Sequence, residues 1–470
     1  MGAEPGLSAR TCSIWICFLM TKTLILPAEV MSRELDARLL QGVMALDRGW
    51  RVITGSKALL NRIIWRLPPS VYLCQTVTHK RRKLLDLIAR LGHISYGWDE
   101  EGLIYLNRET YLSRRVSSQT LELLQEFITW GEQSSADVEE RAGAAGLVPK
   151  PWGNPRFDLL RPELRDLYRK EVDELHRQYG DYILVNTNYG MVNPIISIDP
   201  NKPKKAAKQD RGSADLPVKY SEFVEYRRTI FEAFKDMLAP MARQFPDMTI
   251  VVRPHPGEEF STWAELGQGI ENLEIVREGP SIPWQIGAKA LVHNNCTTAA
   301  ESACIGHTPI AYCPVFSEEN ECGLPNLISH RVDTLDALMV AIKAAVEGQL
   351  EMSADQRAVL DHHVANVSGP MCTRQVLDLC EELYQKQQAT KQSGMSKQLA
   401  KSIGAARNLH KSMRINHQTD IYIPKVFPEI EPPVIAARAS LIAETLNLPF
   451  AVNATQLSKN VFELHKVAPS

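Results

Sequence analysis

The segment MTIVVRPHP, residues 248–256, passes from an apolar run directly into an arginine and a histidine set between prolines. The apolar run is typical of a buried strand. Proline fixes its own φ and cannot donate to a strand ladder, so Pro254 and Pro256 are predicted to end the strand and stiffen its exit. Arg253 and His255 would then stand at a strand's carboxyl end, where open α/β sheets bind ligands. Taken alone, the segment fits a plain strand exit with surface side chains equally well.

A second strand exit of this kind lies in KALVHNNCTTAAESACIG, residues 289–306. A helix is predicted to begin at its two threonines, and the first turn of a helix binds phosphate through its unpaired N–H groups. Glu301, one turn further along this helix, can form a capping box or hold a ribose hydroxyl. If the two strands are near neighbours in one sheet, their exits converge on one phosphate group. The predicted nucleotide- and phosphate-binding residues are Arg253, His255, Pro256, Asn295, Thr297, Thr298 and Glu301.

The first half of the chain contributes three consecutive carboxylates in WDEEGLIYL, residues 98–106. Repulsion among Asp99, Glu100 and Glu101, with partial burial, can raise the pKa of one of them, as a general base requires. The alternative is an ordinary acidic turn at the surface. These three residues are the candidate catalytic groups.

Several common enzyme motifs are absent from the sequence. It contains no GxGxxG, GxxxxGK[ST], HExxH or GxSxG, which argues against Rossmann dehydrogenases, Walker-type kinases and serine hydrolases. It also contains no DxD pair, so a metal-bridged diphosphate is not expected.

Strands and helices alternate along the chain in two successive blocks, which predicts an α/β fold of two doubly wound, Rossmann-like parallel sheets. The first domain is predicted at residues 21–155, a linking helix at 156–180 and the second domain at 181–350. Residues 351–470 are predicted to form a helical C-terminal extension. Residues 1–20 are too short for a membrane span and lack a clear cleavage site, so they are interpreted as a poorly specified extension.

The composition is that of an ordinary globular protein, with 44% hydrophobic and 23% charged residues among 470. A formal net charge of −2 gives no reason to expect nucleic acid as a partner. Nine cysteines without a CxxC pair predict reduced thiols and a cytoplasmic protein rather than a disulfide frame or a zinc site. Residues 386–414 are rich in Lys and Arg, which indicates either a solvated helical tail or a basic surface that meets anionic lipid.

The motifs, in their order along the chain, resemble those of the bacterial surface carbohydrate biosynthesis proteins, over roughly residues 22–345. Those proteins are similar to GT-B glycosyltransferases that use CMP-activated sugars, namely bacterial sialyltransferases and Kdo transferases. The segments that carry the likeness include DEEGLIYLNRETY (99–111), WGNPRFDLLRPEL (152–164), ILVNTNYGMVNP (183–194), VVRPHP (251–256) and HNNCTTAAESACIGHTPIAYCPV (293–315).

That group carries a [DE][DE]G motif in the first half, an HP motif in the second half and then a Ser/Thr pair. Residues 100–102, His255-Pro256 and Thr297-Thr298 match these motifs. The resemblance implies a GT-B fold in which Glu101 is the base and the histidine and threonines bind the nucleotide phosphate. Asp99 is an additional acid that leaves the choice of base open, and the Thr-Thr pair stands where serine is common.

The resemblance implies a glycosyltransferase of capsule or lipopolysaccharide biosynthesis, with a nucleotide-sugar donor, expected to be a CMP-sugar, and a glycan or glycolipid acceptor. Neither a metal ion nor a separate cofactor is expected, and the expected location is the cytoplasm or the inner face of the membrane. The alternatives are a GT-B glycerophosphotransferase, a sugar-nucleotide epimerase, or a non-catalytic polysaccharide-assembly protein. In the last case nucleotide binding would be absent and Glu101 dispensable.

Overall fold

The computed structural model of the chain describes residues 22–194, 220–389, 394–413 and 423–468. The extension predicted at residues 1–20 lies outside these ranges. The strands are β1 (Thr23–Ala28), β2 (Arg51–Ser56), β3 (Val71–Cys74), β4 (Ile94–Gly97), β5 (Glu126–Thr129), β6 (Lys150–Pro151), β7 (Tyr182–Asn186), β8 (Thr249–Arg253), β9 (Leu273–Ile275), β10 (Ala290–His293), β11 (Ile310–Tyr312), β12 (His330–Val332), β13 (Ala451–Ser458) and β14 (Val461–Val467).

The α-helices alternate with these strands and continue after the second sheet. They are α1 (Met31–Asp47), α2 (Lys57–Ile63), α3 (Arg82–Arg90), α4 (Arg108–Arg115), α5 (Ser118–Leu121), α6 (Glu132–Ala144), α7 (Pro155–Asp158), α8 (Arg169–Tyr179), α9 (Tyr220–Gln244), α10 (Phe260–Gly267), α11 (Ser281–Gly287), α12 (Thr298–Ile305), α13 (Gly323–Leu327), α14 (Leu335–Val346), α15 (Ala354–His363), α16 (Cys372–Ala389), α17 (Gly394–Met413), α18 (Ile423–Val426) and α19 (Pro432–Thr445). Short 3-10 helices lie at Ile64–Arg66, His79–Arg81 and Pro162–Tyr168.

The first sheet has the strand order β13-β14-β2-β1-β3-β4-β5-β6, and β1 to β6 pair in parallel. Strand β1 is buried on both faces, which is why it is continuously apolar after Thr23 rather than alternating. Leu24 and Leu26 pack in one core with α1, α16 and α19, whereas Ile25 packs in the other with α2 and α3.

The second sheet has the order β12-β11-β10-β7-β8-β9, and its strands pair in parallel. Strands β8 and β10 both pair with β7, so the two unusual strand exits are separated by a single strand. The predicted pair of parallel-sheet α/β domains is therefore confirmed, and the exits lie at one edge of the second sheet.

The C-terminal region differs from the prediction of a helical extension. Its last strands, β13 and β14, form an antiparallel hairpin, and β14 adds to the first sheet beside β2. The contact requires Gly55, whose φ is +136° and where a Cβ atom would lie 2.1 Å from the backbone oxygen of Asn460. The sequence AVNATQLSKNVFELHKV alternates apolar and polar residues in part, which is the period of a strand and not of a helix.

The link between the two sheets is also less regular than the single helix predicted at residues 156–180. It consists of α7, the 3-10 helix Pro162–Tyr168 and then α8. Pro162 begins the middle piece, because proline cannot donate the backbone hydrogen bond that a continuing helix needs.

Candidate functional site

The loop after β8 is organised by a buried carboxylate that the sequence analysis did not single out. Glu258 has no exposed surface, and its Oε1 accepts hydrogen bonds from the backbone N–H of His255 at 3.0 Å and from Thr187 Oγ1 at 2.6 Å. Its Oε2 accepts one from Trp263 Nε1 at 3.0 Å. These bonds fix the path of the PHP segment, so the position of His255 is set by the chain itself.

The ring of His255 is exposed at one side and crowded by protein at the other. Its Nδ1 accepts a hydrogen bond from the backbone N–H of Gly257 at 3.1 Å, so the neutral ring carries its proton on Nε2. Burial lowers the pKa of His255, and the nearby Glu258, Arg33 and Glu101 modify that effect. A neutral imidazole with an available Nε2–H can donate to a phosphate oxygen.

Arg253 has contacts that the prediction of phosphate binding did not include. Its guanidinium donates to the backbone carbonyls of Glu278 and Gly279 at 2.8 and 3.0 Å and lies 4.7 Å from the ring centroid of Trp284. Burial lowers its pKa to about 10. Arg253 therefore ties the exit of β8 to the segment 278–284, and its direct contact with phosphate stays a prediction, as does that of the exposed Pro256.

The exit of β10 contains a buried side chain that has no partner. Asn295 is 4% exposed and has a φ of +48°, a conformation uncommon outside glycine. Its backbone is engaged, since its N–H donates to Asn326 Oδ1 at 3.3 Å and its carbonyl accepts from Asn188 Nδ2 at 3.1 Å. Both atoms of its side-chain amide, however, lack a hydrogen-bond partner. An unpaired buried amide is costly, so this position favours a ligand that completes it.

The helix that follows, α12, begins with the two predicted threonines. Thr297 is its N-cap residue but makes no side-chain capping bond, and both threonines are partly exposed. The hydroxyl of Thr298 donates to Cys296 Sγ at 3.1 Å. The first turn of α12 is therefore not capped by the chain.

Arg227, on α9, lies at the same sheet edge and was missed by the sequence analysis. It is 6% exposed and donates to Asn294 Oδ1 at 3.1 Å and to the backbone carbonyl of Asn188. Within the described ranges no carboxylate lies within ion-pair distance of it. A signal existed in the sequence, because Arg227 is three and four residues from the buried Ile230 and Phe231 and so falls on the apolar face of the helix.

The acidic turn after β4 places its three carboxylates in different surroundings. Asp99 is 2% exposed and accepts from Arg115 Nε at 3.0 Å and Nη2 at 2.5 Å, and burial raises its pKa. Glu100 is 6% exposed and accepts from Arg38 and from Trp98 Nε1 at 2.8 Å. Burial would raise the pKa of Glu100, but the neighbouring arginines outweigh burial and hold it at about 2.

Glu101 is the most exposed carboxylate of the three. Its side chain is 50% exposed, and Oε1 accepts from Arg33 Nη1 at 2.7 Å. Partial burial would raise its pKa, but the charge of Arg33 outweighs it and the pKa is lowered. Of the three carboxylates, Asp99 and not Glu101 therefore has the raised pKa that was expected of one of them, because Arg33 pairs with Glu101. Glu101 is ionised at neutral pH, the state in which a carboxylate can accept a proton.

Glu301 connects the second sheet to the first. It is 7% exposed, and its carboxylate accepts from Arg156 Nη2 at 2.9 Å and from Gln285 Nε2 at 2.7 Å. Arg156 Nη1 also lies 3.7 Å from Glu100 Oε2. Glu301 thus serves a contact between the two halves, and its predicted role in binding the nucleotide stays a prediction.

The two sheet edges face each other. Arg156 links Glu100 of the first half to Glu301 of the second, and Arg33 and Glu101 lie near enough to His255 to influence its pKa. The acidic turn and the PHP loop are therefore on opposite sides of one cleft. In the described part of the chain, no group of three or more His, Cys, Asp or Glu side chains is arranged to hold a metal ion.

Comparison with solved structures finds proteins of similar fold. A histidine-to-alanine variant of the wall teichoic acid polymerase TagF is similar with a TM-score of 0.50 and 10% identity, over 78% of this chain and 90% of that one. The UDP-GlcNAc 2-epimerase of Methanocaldococcus jannaschii, in complex with UDP-GlcNAc and UDP, has a TM-score of 0.47 and 11% identity, over 77% of this chain and 100% of that one. The likeness to TagF shows the fold alone, which is GT-B. No protein-family model and no curated protein matches the sequence.

Proposed function

We propose that the protein is a metal-independent glycosyltransferase of surface-polysaccharide biosynthesis. A nucleotide sugar would bind at the carboxyl edge of the second sheet, and an acceptor hydroxyl would lie against the acidic turn of the first. The observation that carries the proposal is the amide of Asn295, which is buried and unpaired beside the uncapped start of α12. The exposed carboxylate of Glu101 on the opposite side of the cleft supports the acceptor half.

The proposed chemistry gives each of these groups one role. Glu101 accepts the proton of the acceptor hydroxyl, whose oxygen forms a bond to the anomeric carbon of the sugar. The bond from that carbon to the phosphate oxygen breaks, and the electron pair leaves with the nucleotide. His255 donates through Nε2–H to the departing phosphate, and Arg227 balances its negative charge. Charge stabilisation of this kind is commonly a large contribution to catalysis.

We propose that the donor carries a cytidine nucleotide, because the EEG, HP and Thr-Thr motifs resemble those of CMP-sugar transferases. The same phosphate contacts would also serve a CDP-alcohol or a UDP-sugar, as the two alternative GT-B reactions require. A cytoplasmic location is part of the proposal, because nine cysteines without a CxxC pair predict reduced thiols.

The test is a calorimetric titration of the full chain with CMP, CDP, UDP and GDP. Arg227→Gln is expected to weaken binding of the preferred nucleotide about tenfold to a hundredfold, the typical loss of a hydrogen bond to a charged group. Arg228→Gln is the matched control, because the neighbouring side chain is exposed. Asn295→Ala should weaken binding as well.

The outcomes separate the candidate functions. Preference for CMP, followed by sugar transfer from CMP-sugars, supports the proposal. Turnover of CDP-glycerol or epimerisation of a UDP-sugar would replace it with one of the two alternative reactions. Failure to bind any of the four nucleotides would indicate the non-catalytic assembly protein.

A further inference from the structure

The basic segment near the C-terminus forms part of a larger positive surface on the first half of the molecule. Helix α17 packs against α2, the 3-10 helix Ile64–Arg66 and α3. Its small residues make this contact: Ala400 is fully buried, and a Cβ atom on Gly404 would lie 2.5 Å from Trp65 Cβ. The helix is therefore fixed on the domain and is not a free tail.

Residues near both ends of α17 lie close to residues at or just beyond the ends of α3. Lys397 lies near enough to His93, just beyond α3, to lower the pKa of that histidine further after burial has lowered it. Arg407 lies near Arg81, at the start of α3, and burial followed by the charge of Arg81 lowers the pKa of Arg407. Helix α17 therefore contacts α3 and brings Arg407 near Arg81.

The segments that carry these cations contain almost no acidic residues. Residues 57–66 and 394–413 contain no Asp or Glu, and residues 79–90 contain only Asp86, which pairs with Arg90 at 2.9 Å. The formal charge of the whole chain is −2, so the asymmetry is local. We call this surface the basic face, and its members are Arg66, Lys80, Arg81, Arg82, Lys83, Lys397, Lys401 and Arg407.

Apolar side chains project from the same helix. Leu399 is 62% exposed and Ile403 is 45% exposed, one turn apart and between Lys397 and Arg407 in the sequence. A helix that carries exposed apolar residues flanked by Lys and Arg is typical of attachment to a membrane surface. Among the described residues no helix has the length and apolar character to cross a bilayer.

We propose that the basic face docks the protein on an anionic phospholipid surface, with Leu399 and Ile403 entering the headgroup layer. The argument is charge complementarity: a cluster of cations without acids fits a surface of phosphate headgroups. The proposal stands independently of the nucleotide site, because none of these residues belongs to that site.

The test is co-sedimentation of the full chain with vesicles of phosphatidylcholine alone and of phosphatidylcholine mixed with phosphatidylglycerol. Binding is expected only to the anionic vesicles and should weaken as salt is added. Each Lys or Arg near such a surface strengthens binding about fivefold, so K80Q/R82Q/K83Q should weaken it on the order of a hundredfold. L399S/I403S should also weaken it.

The matched control, R169Q/K170Q/R177Q, removes three exposed cations from α8 and should leave vesicle binding intact. Circular dichroism and urea unfolding, measured on every variant, report that the fold is retained and should not change. Equal binding to neutral vesicles, equal loss in the α8 control, or no binding to either vesicle would overturn the proposal. Self-association through Leu399 and Ile403, seen by sedimentation equilibrium and abolished by L399S/I403S, would also overturn it.

Discussion

The carboxyl edges of the two sheets are both crowded with polar side chains, but they differ in which of those side chains are paired. At the first edge each of Asp99, Glu100 and Glu101 is bound by an arginine. At the second edge the amide of Asn295 is unpaired, and Arg227 contacts only neutral acceptors. A paired charge is held in place by the protein, whereas an unpaired buried group is stabilised by a ligand. This difference is why we propose the second edge as the binding site for the nucleotide.

The largest expected effect is that of Glu101→Gln at the paired edge. Glutamine keeps the shape but cannot take a proton, so transfer should fall about 10²–10⁴-fold, the range for loss of a general base. Nucleotide binding should be unchanged, because that site is at the other edge. The measurement is turnover at saturating donor together with calorimetry.

Two neighbouring variants locate the base more sharply. Asp99→Asn and Glu100→Gln alter buried ion pairs and are expected to lower stability more than activity. Normal turnover in Glu101→Gln would remove it from the mechanism. A stable but inactive Glu100→Gln enzyme would transfer the role to that residue.

The next largest expected effect is on the free energy of unfolding and comes from Arg156, which links the two sheet edges. Arg156→Met leaves the buried carboxylates of Glu100 and Glu301 without this cation, and breaking such a buried pair typically costs about 3–5 kcal/mol. Equilibrium unfolding in urea measures the loss. Arg169→Met, which removes an exposed pair with Asp166, is the control and should change stability by about 0–1 kcal/mol. Equal losses in the two variants would show that Arg156 does not hold the halves together.

His255→Ala tests the edge of the second sheet, and its effect on turnover should be slightly smaller than that of Glu101→Gln. Removal of one donor to the departing phosphate typically lowers turnover about 10²–10³-fold, or about 2.7–4 kcal/mol. The fold should persist, since Glu258 makes its bonds to Thr187, Trp263 and the backbone of residue 255. Wild-type turnover in this variant, with a donor identified by calorimetry, would eliminate the proposed phosphate contact.

The smallest effect is a pH dependence from a buried histidine in each half. Burial lowers the pKa of His93 to about 4 and that of His293 to about 3, from 6.5. Below about pH 6.5 the unfolded chain binds protons that the folded chain does not, so stability should decrease as pH falls, by at most about 1.4 kcal/mol per unit and per group. His293→Gln, which cannot titrate, should reduce this acid slope in urea unfolding. An unchanged slope would show that His293 does not stay neutral in the folded state.

Several features of the fold could be predicted from local sequence. Strand β8 contains three buried apolar residues and ends just before Pro254. Its exit lies at the same edge as that of β10, as the alternation of strands and helices predicted. The hairpin β13–β14 was missed because its alternation is partial and it follows a long helical region. Its partner β2 is about four hundred residues away in the chain, as the pairing of Val461 with Gly55 requires.

In the candidate site, too, some features could be predicted from the sequence and others depend on the tertiary structure. The sequence by itself determined which residue types stand at the strand ends, because proline, glycine and consecutive carboxylates act on their own backbone. The tertiary structure alone decided which of those groups are paired. Arg38 reaches Glu100 across 62 residues and Arg156 reaches Glu301 across 145. Tertiary contacts likewise lower the pKa of Glu101 beside Arg33 and leave the buried amide of Asn295 without a hydrogen-bond partner in the described chain.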